Sequence, residues 1–326
     1  MAQKPYIIAL EEHYHDPDIT AAMQGSMEGR RNDSLRAKLD DVGPLRIKEM
    51  DDAGIDFQVL SQGAPSTQRI TGDAAVTLAR TVNDRLHRAV QANPTRFAAF
   101  GALPTAEPKA AADELERIVT KLGFVGAMVH GLCNGVFFDD KRFWPIFERA
   151  QALDVPLYLH PAVPHPTVVD LYFKDYLATN PGIANAGWGF TMETATLAIR
   201  MVLSGAFDAY PNVKFILGHL GETVPYSSWR INMTLGRDPK GAGFREKFMR
   251  HFYITTSGFF SNNALECCIK EMGIDRIMFS VDYPFVDNQS GTKWALEQLT
   301  LNEADKEKLL SGNARRILKL KTPARV

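Results

Sequence analysis

Four short apolar runs in this chain of 326 residues end in side chains able to hold a divalent cation or move a proton. They are Leu10-Glu11-Glu12-His13, Tyr158-Leu159-His160-Pro161, Leu217-Gly218-His219-Leu220-Gly221-Glu222 and Phe279-Ser280-Val281-Asp282-Tyr283-Pro284. Imidazole nitrogen combined with carboxylate oxygen is a donor set for such a cation. On an extended chain residues i and i+2 point the same way, so Glu11 and His13 are expected to face one axis together and Glu12 to face away from it. His15 falls in the following loop. His160 alone would read as a satisfied core histidine, but beside Glu11, His13 and Asp282 it reads as a ligand. Asp282 closes the last strand-like run and would stand next to the first run if the sheet closes on itself.

His219 and Glu222 lie between glycines that permit close backbone approach and a sharp strand exit. They are expected to form a hydrogen-bonded pair in which the carboxylate fixes the imidazole's tautomer. Arg230 follows on the next helix and is able to grip a carboxylate or phenolate, although a surface ion pair serves it equally well. His130 ends another strand. No lysine occupies that strand end, so one metal ion is expected rather than two bridged by a carboxylated lysine. His87 and His251 read as structural.

Such residues work together only if one scaffold brings their strand ends to one rim. Strand-like runs fall at residues 6–11, 57–62, 97–103, 126–130, 156–160, 214–219, 253–257 and 277–282. Most are continuously apolar, as parallel strands buried on both faces are. Helical spacing fills the gaps at 74–92, 110–122, 193–207 and 302–318. Eight strands alternating with helices predict an α/β chain folded as a (β/α)8 barrel, whose catalytic residues gather at the strands' C-terminal ends. No linker-rich stretch divides residues 1–326, so one domain is expected. The connections after the first and fifth strands, about 14–44 and 161–188, are long for such loops and should overhang the site.

Composition narrows the function. Hydrophobic residues make up 45% of the chain, enough for a full core, and the formal net charge of -1 argues against nucleic acid or anionic membrane as partner. Cys133, Cys267 and Cys268 are too few for a disulfide framework and read as buried free thiols of a cytoplasmic protein. The short run 7–10 is neither a signal peptide nor a membrane span.

The chain resembles the amidohydrolase superfamily, specifically its metal-dependent non-oxidative decarboxylases. The resemblance rests on Ala-Leu-Glu-Glu-His at 9–13, Gly-Phe-Val-Gly-Ala at 123–127, Val-Pro-Leu-Tyr-Leu-His-Pro at 155–161 and Ile-Leu-Gly-His-Leu-Gly-Glu at 216–222. Trp-Arg at 229–230, Thr-Thr-Ser-Gly at 255–258 and Phe-Ser-Val-Asp-Tyr-Pro-Phe at 279–285 extend it. It implies that Glu11, His13, His160 and Asp282 bind one ion, manganese or zinc, with no organic cofactor. It further implies that His219 and Glu222 form the polar pair beside the metal, that Arg230 anchors substrate, and that Phe285 walls the substrate ring. The ligand would be a small aromatic carboxylic acid of the resorcylate, dihydroxybenzoate or carboxyvanillate kind, and the enzyme a homo-oligomer, dimer or tetramer. His130 stands where the resorcylate group has asparagine, and Ala162-Val163-Pro164-His165 stands where that group has an arginine. Both departures leave the ring substituents open.

The chemistry is coherent in its own terms. Expelling carbon dioxide directly would leave an aryl anion, so the ring carbon bearing the carboxylate must be protonated first. An ortho hydroxyl whose oxygen is stabilised by the metal supplies electron density to that carbon, and Asp282 is the candidate proton donor. The rivals are a metal hydrolase acting on a lactone, ester or amide, and a non-catalytic barrel that binds a small acid.

Overall fold

Period-two alternation decides the architecture. Ile8 and Leu10, Phe57 and Val59, Ala98 and Phe100, Met128, Tyr158, Ile216 and Met278 pack together inside a ring of strands. Their neighbours, among them Ala9, Leu60, Ala99, Ala127, Leu157, Leu159, Phe215 and Leu217, pack outward in the core that the helices cover. Both faces are buried, which is why the strands read as unbroken apolar runs. The computed structural model describes residues 4–22 and 33–322.

Eight parallel strands pair in sequence order: β1 (Ile8–Tyr14), β2 (Phe57–Gln62), β3 (Phe97–Ala102), β4 (Gly126–His130), β5 (Pro156–His160), β6 (Lys214–Leu217), β7 (Phe252–Thr255) and β8 (Ile277–Met278). The seam between β8 and β1 is thin. Its backbone pairing is one bridge, Leu10 to Ser280, and two bonds, Leu10 N–H to Phe279 O at 3.2 Å and His13 N–H to Tyr283 O at 2.7 Å, to which the side chains of Ser280 and Glu12 add bonds across the joint. The fold is the (β/α)8 barrel expected from the strand count.

Two strands are shorter than their apolar runs, because the chain leaves the ladder at Gly218 and near Asp282 to build the site. β1 instead runs on to Tyr14. It gains a residue on the way: Ala9 pairs with Gln58 and Glu12 with Leu60, three residues against two. Glu11, at φ 57°, is the left-handed residue of this bulge.

The helices follow the expected periodicity, with Gly72–Ala92 and Pro108–Thr120 close to their predicted spans. The helix predicted over 193–207 begins earlier, as Gly189–Leu203, and a separate turn covers Ala206–Ala209. The predicted C-terminal helix is three pieces, Glu303–Glu307, a π segment Lys308–Gly312 and Asn313–Leu318, with Asn302 capping the first. The extra residue in the π turn re-aims the face: Leu309 and Leu310 pack in the outer core, while Ala314, Ile317 and Leu318 close the barrel floor.

The two long connections are partly helical. The first carries Pro17–Ala22, Asp33–Asp40 and Pro44–Ala53, its residues 23–32 lying outside the described part. The second carries Pro166–Tyr172 and a satellite core of Val169, Phe173 and Ala184.

Candidate metal centre and active site

The bulge in β1 determines which way its acids face. Ile8 and Leu10 point into the barrel and Ala9 points out, so strict alternation would send Glu11 and His13 outward. The extra residue reverses the parity, and Tyr14 returns to the outer core. Glu11 and His13 do face the axis, as expected, but through this irregularity and not through simple i, i+2 spacing.

Around that axis Glu11, His13, His160 and Asp282 present one donor atom each, all within 4.8 Å of one another. Glu11 Oε1 lies 3.2 Å from His160 Nε2 and 4.0 Å from His13 Nε2. His13 Nε2 lies 3.3 Å from Asp282 Oδ1. Three of the four donors are held in place by a second contact. His160 Nδ1 donates to Pro161 O at 2.6 Å, and His13 Nδ1 contacts Ser61 Oγ at 3.1 Å, which leaves both Nε2 atoms for the centre. Glu11 Oε2 accepts from the hydroxyls of Tyr158 and Ser257. Thr255 Oγ1 ties those two hydroxyls together at 2.6 Å each.

The result is two buried atoms without a hydrogen-bond partner, Glu11 Oε1 and His13 Nε2, in a ring of imidazole and carboxylate. Buried polar atoms are normally satisfied. The orphaned pair and the mixed nitrogen and oxygen donors fit one divalent cation. Burial alone would raise the Glu11 carboxyl, but His219, then His160 and His13, outweigh it and hold it well below the usual carboxylate range.

His219 stands beside the ring, Nε2 at 3.8 Å from Glu11 Oε1 and 3.9 Å from Asp282 Oδ2. The expected pair is present: His219 Nδ1 meets Glu222 Oε1 at 2.7 Å, and Thr191 Oγ1 donates to Glu222 Oε2 at 2.8 Å. Burial opposes charge on His219, yet Glu222 and Glu11 raise its pKa well above the ordinary histidine value. The chain reaches this pair through residues with positive φ, His219 (48°), Leu220 (52°), Gly221 (75°), Glu222 (52°) and Thr223 (64°). A left-handed turn costs each residue with a Cβ about 1–2 kcal/mol. Ser257 (37°) and Asp282 (70°) are left-handed too. Backbone strain thus collects at the ends of β1, β6, β7 and β8, where the candidate side chains are aimed.

Gly218 explains the glycine before His219. A Cβ there would lie 2.6 Å from Glu11 Oε2. His130 is buried with its ring 4.9 Å from that of His160, and neither ring nitrogen makes a well-formed hydrogen bond among the described residues. Burial, with His160 and His13 nearby, keeps it uncharged. Phe285 sets its ring 5.7 Å from that of His13. Arg230 lies on an exposed face of the helix Val224–Leu235 and is not brought to the ring of donors. Of the cysteines, Cys133 and Cys268 are buried free thiols and Cys267 is half-buried.

Sequence reasoning missed several residues. Tyr158 was visible as a polar-tipped residue two before His160 on the same strand face; Thr255, Ser257 and Ser61 carried no signal of their own. Glu12 was expected to face away from the axis and does, but it is also a buried brace. Its Oε1 accepts from Val281 N–H at 2.9 Å and its Oε2 from Tyr283 N–H at 3.1 Å, the two peptides that flank Asp282. Burial pushes its carboxyl up to about 8, against the pull of those N–H groups and of Arg46. Arg46 itself bonds the carbonyl of His13.

Comparison with known proteins adds to the geometry. The sequence profile of the family described as Amidohydrolase matches residues 15–320. Gamma-resorcylate decarboxylase from Polaromonas sp. (strain JS666) is 40% identical, the match covering 96% of this chain and 98% of that protein. A crystal structure of dihydroxybenzoic acid decarboxylase from Polaromonas sp. JS666, with bound manganese and the inhibitor 2-nitroresorcinol, superposes with TM-score 0.89 at 39% identity and covers 98% of each chain. The 5-carboxyvanillate decarboxylase from Sphingomonas paucimobilis superposes with TM-score 0.90 at 32% identity, covering 98% of this chain and all of that one (100%).

Proposed function

The chain belongs to the amidohydrolase family, in its decarboxylase branch, and from that premise we propose how its residues carry out the reaction. It is a carboxy-lyase that decarboxylates an aromatic acid. The substrate we assign is a benzoate with a hydroxyl ortho to the carboxylate. The cofactor is one divalent ion, manganese or zinc, held by Glu11, His13, His160 and Asp282, and no organic cofactor takes part. The observation that carries this assignment is the pair of orphaned donors, Glu11 Oε1 and His13 Nε2, facing Asp282 and the His219–Glu222 pair.

Bound there, the ion supplies positive charge that favours an electron-rich oxygen on the ring. Asp282 delivers a proton to the ring carbon that bears the carboxylate. The bond to the carboxylate then breaks, its electron pair restores aromaticity, and carbon dioxide leaves. His219 Nε2, 3.9 Å from Asp282 Oδ2, is close enough to return a proton to that acid after a small shift. Glu222 holds the imidazole in place, Phe285 walls the ring, and His130, buried beside His160, recognises a substrate polar group, while Arg230, exposed on its helix, is left out of the site. The assignment also takes residues 1–326 as one domain of a cytoplasmic homo-oligomer, dimer or tetramer. The exposed side chains of Trp229 and Met233 on the helix Val224–Leu235 support assembly. Among the described residues no helix is long and apolar enough to cross a membrane.

The test is carbon dioxide release from hydroxybenzoates by manganese-loaded protein in deuterium oxide. The product should carry one deuterium at the carbon that lost its carboxylate, and a benzoate lacking the ortho hydroxyl should be inert. Asp282→Asn should slow turnover by about 10²–10⁴-fold. Near-normal turnover in that variant would remove Asp282 from proton transfer. Hydrolysis of a lactone or ester without carbon dioxide release would favour the hydrolase.

A further inference from the structure

On the side of His219 and Glu222 away from the barrel seam opens a cavity of about 690 Å³. Its inner end is formed by His219 and Glu222, and its walls include Trp188, Phe190, Tyr226, Phe259, Ala264 and Cys267. A cavity of that size falls in the range of roughly 300–1,000 Å³ that accepts a ligand larger than one benzene ring. None of the residues that line it is a lysine or arginine, and its one acid, Glu222, is already paired with His219. Its charged groups are the mutually paired His219 and Glu222 alone, and its aromatic and aliphatic walls favour apolar surface.

We propose that this cavity is a subsite for an uncharged, apolar substituent, an alkyl chain or a second ring, carried by the ortho-hydroxybenzoate that the enzyme decarboxylates. The proposal rests on the decarboxylase assignment and adds the substrate class to it. His219 approaches the candidate metal donors through Nε2 and is also one of the residues that line the cavity. A substrate ring seated against His219 can therefore pass a substituent into the cavity without moving its carboxylate from the donors. A second carboxylate carried past His219, whose charge Glu222 already answers, would meet no lysine or arginine in the cavity.

The experiment compares carbon dioxide release from 2,6-dihydroxybenzoate with release from the same acid carrying a butyl or phenyl group, and from one carrying a second carboxylate. With wild-type protein kcat/KM should be about 10-fold or more higher for the apolar derivatives, as burial of a few methylenes implies. The dicarboxylate should be the poorest of the three. Cys267→Phe and Ala264→Leu, which fill the cavity from the helix Asn262–Met272, should lower the ratio of butyl to unsubstituted kcat/KM by about the same factor. Inhibition of wild-type protein by resorcinols with lengthening alkyl chains gives a measurement independent of those variants, and the inhibition constant should fall with each added methylene. Release from 2,6-dihydroxybenzoate with no preference for any substituted acid, and with chain-independent inhibition, would overturn the subsite and leave the decarboxylase standing. No release from any of these acids would overturn both. Inhibition constants that lengthen with the chain while protein concentration alters them would show that a second copy of this chain covers the cavity, which also overturns the proposal.

Discussion

Gly218→Ala replaces one hydrogen with a methyl group, and the structure says where it goes. Gly218 sits at φ -70° and ψ -173°, extended backbone that alanine adopts without strain, so the substitution acts through its Cβ alone. That atom would lie 2.6 Å from Glu11 Oε2 and 3.1 Å from Oε1. Carbon to oxygen contacts settle at about 3.3–3.6 Å, so the carboxylate has to retreat by roughly 0.7 Å or more. It has nowhere easy to go, because Oε2 is held by Tyr158 and Ser257. Metal donors tolerate displacements of about 0.2 Å. The variant should therefore lose metal affinity by about 10–100-fold, the range seen when the support of a ligand is disturbed, and lose about 1–3 kcal/mol of stability to overpacking. The assay is competition with a chelator of known affinity, beside carbon dioxide release at saturating manganese. Gly182→Ala, whose Cβ would meet nothing within 4 Å, is the neutral control. Ser257→Ala in the Gly218→Ala background gives the carboxylate room and should recover part of the affinity. Unchanged metal affinity and turnover in Gly218→Ala would refute the claim that Glu11 is a fixed donor.

Three further outcomes follow from the same geometry. His160→Ala should strip most of the metal, whereas His219→Asn should keep it and slow turnover; metal analysis of both purified proteins checks this, and a metal-free His219 variant would place that residue among the ligands. Glu12→Ala leaves the Val281 and Tyr283 N–H groups without acceptors and should cost about 2–5 kcal/mol in urea unfolding, at about 1–3 kcal/mol for each buried unpaired group. Burial raises the Glu193 carboxyl from 4.5 to about 7, so between those values the native state keeps a proton that the unfolded chain has lost, and stability falls as pH rises through that window, levelling off above it. At about 1.4 kcal/mol per pH unit the Glu193 share of the fall is on the order of 3 kcal/mol; Glu193→Gln should remove that share of the difference between melts at pH 5 and pH 8, leaving the share due to Glu12, and an unaltered difference would exclude Glu193 as a source.

The donors were legible in the sequence because they combine two independent signals, a ligating side chain and the end of an apolar run. His160 and Asp282 needed nothing more. Glu11 and His13 were assigned to the correct face for an incomplete reason, since the bulge that turns them inward depends on one left-handed φ that no residue type announces. The cradle of Tyr158, Thr255 and Ser257 was illegible for a different cause. Hydroxyl residues are common, and only closure of the barrel brings β5 and β7 against Glu11. Glu12 was hidden by its neighbours: in a run of two acids and a histidine, spacing separates the inward residues from the outward one but cannot reveal what the outward one braces. The cavity beside His219 is assembled from three segments, residues 186–191, 219–226 and 259–268, that only the fold brings together, and so had no signature along the chain.

The thin seam between β8 and β1 would give an ion bound at the proposed site a second role. Two of its four donors, Glu11 and His13, belong to the strand on one side of that joint, and Asp282 follows the strand on the other. A cation held by all of them acts as a clasp across the joint where the ladder has one bridge. Any ligand that binds only the closed form stabilises it in proportion to the logarithm of its concentration over its dissociation constant. Loss of the ion would then be felt first as fraying of the outermost strands, with faster amide exchange at Leu10 and His13, before the rest of the barrel loosens. An ion that prepares the substrate as proposed would also keep the two ends of the sheet together.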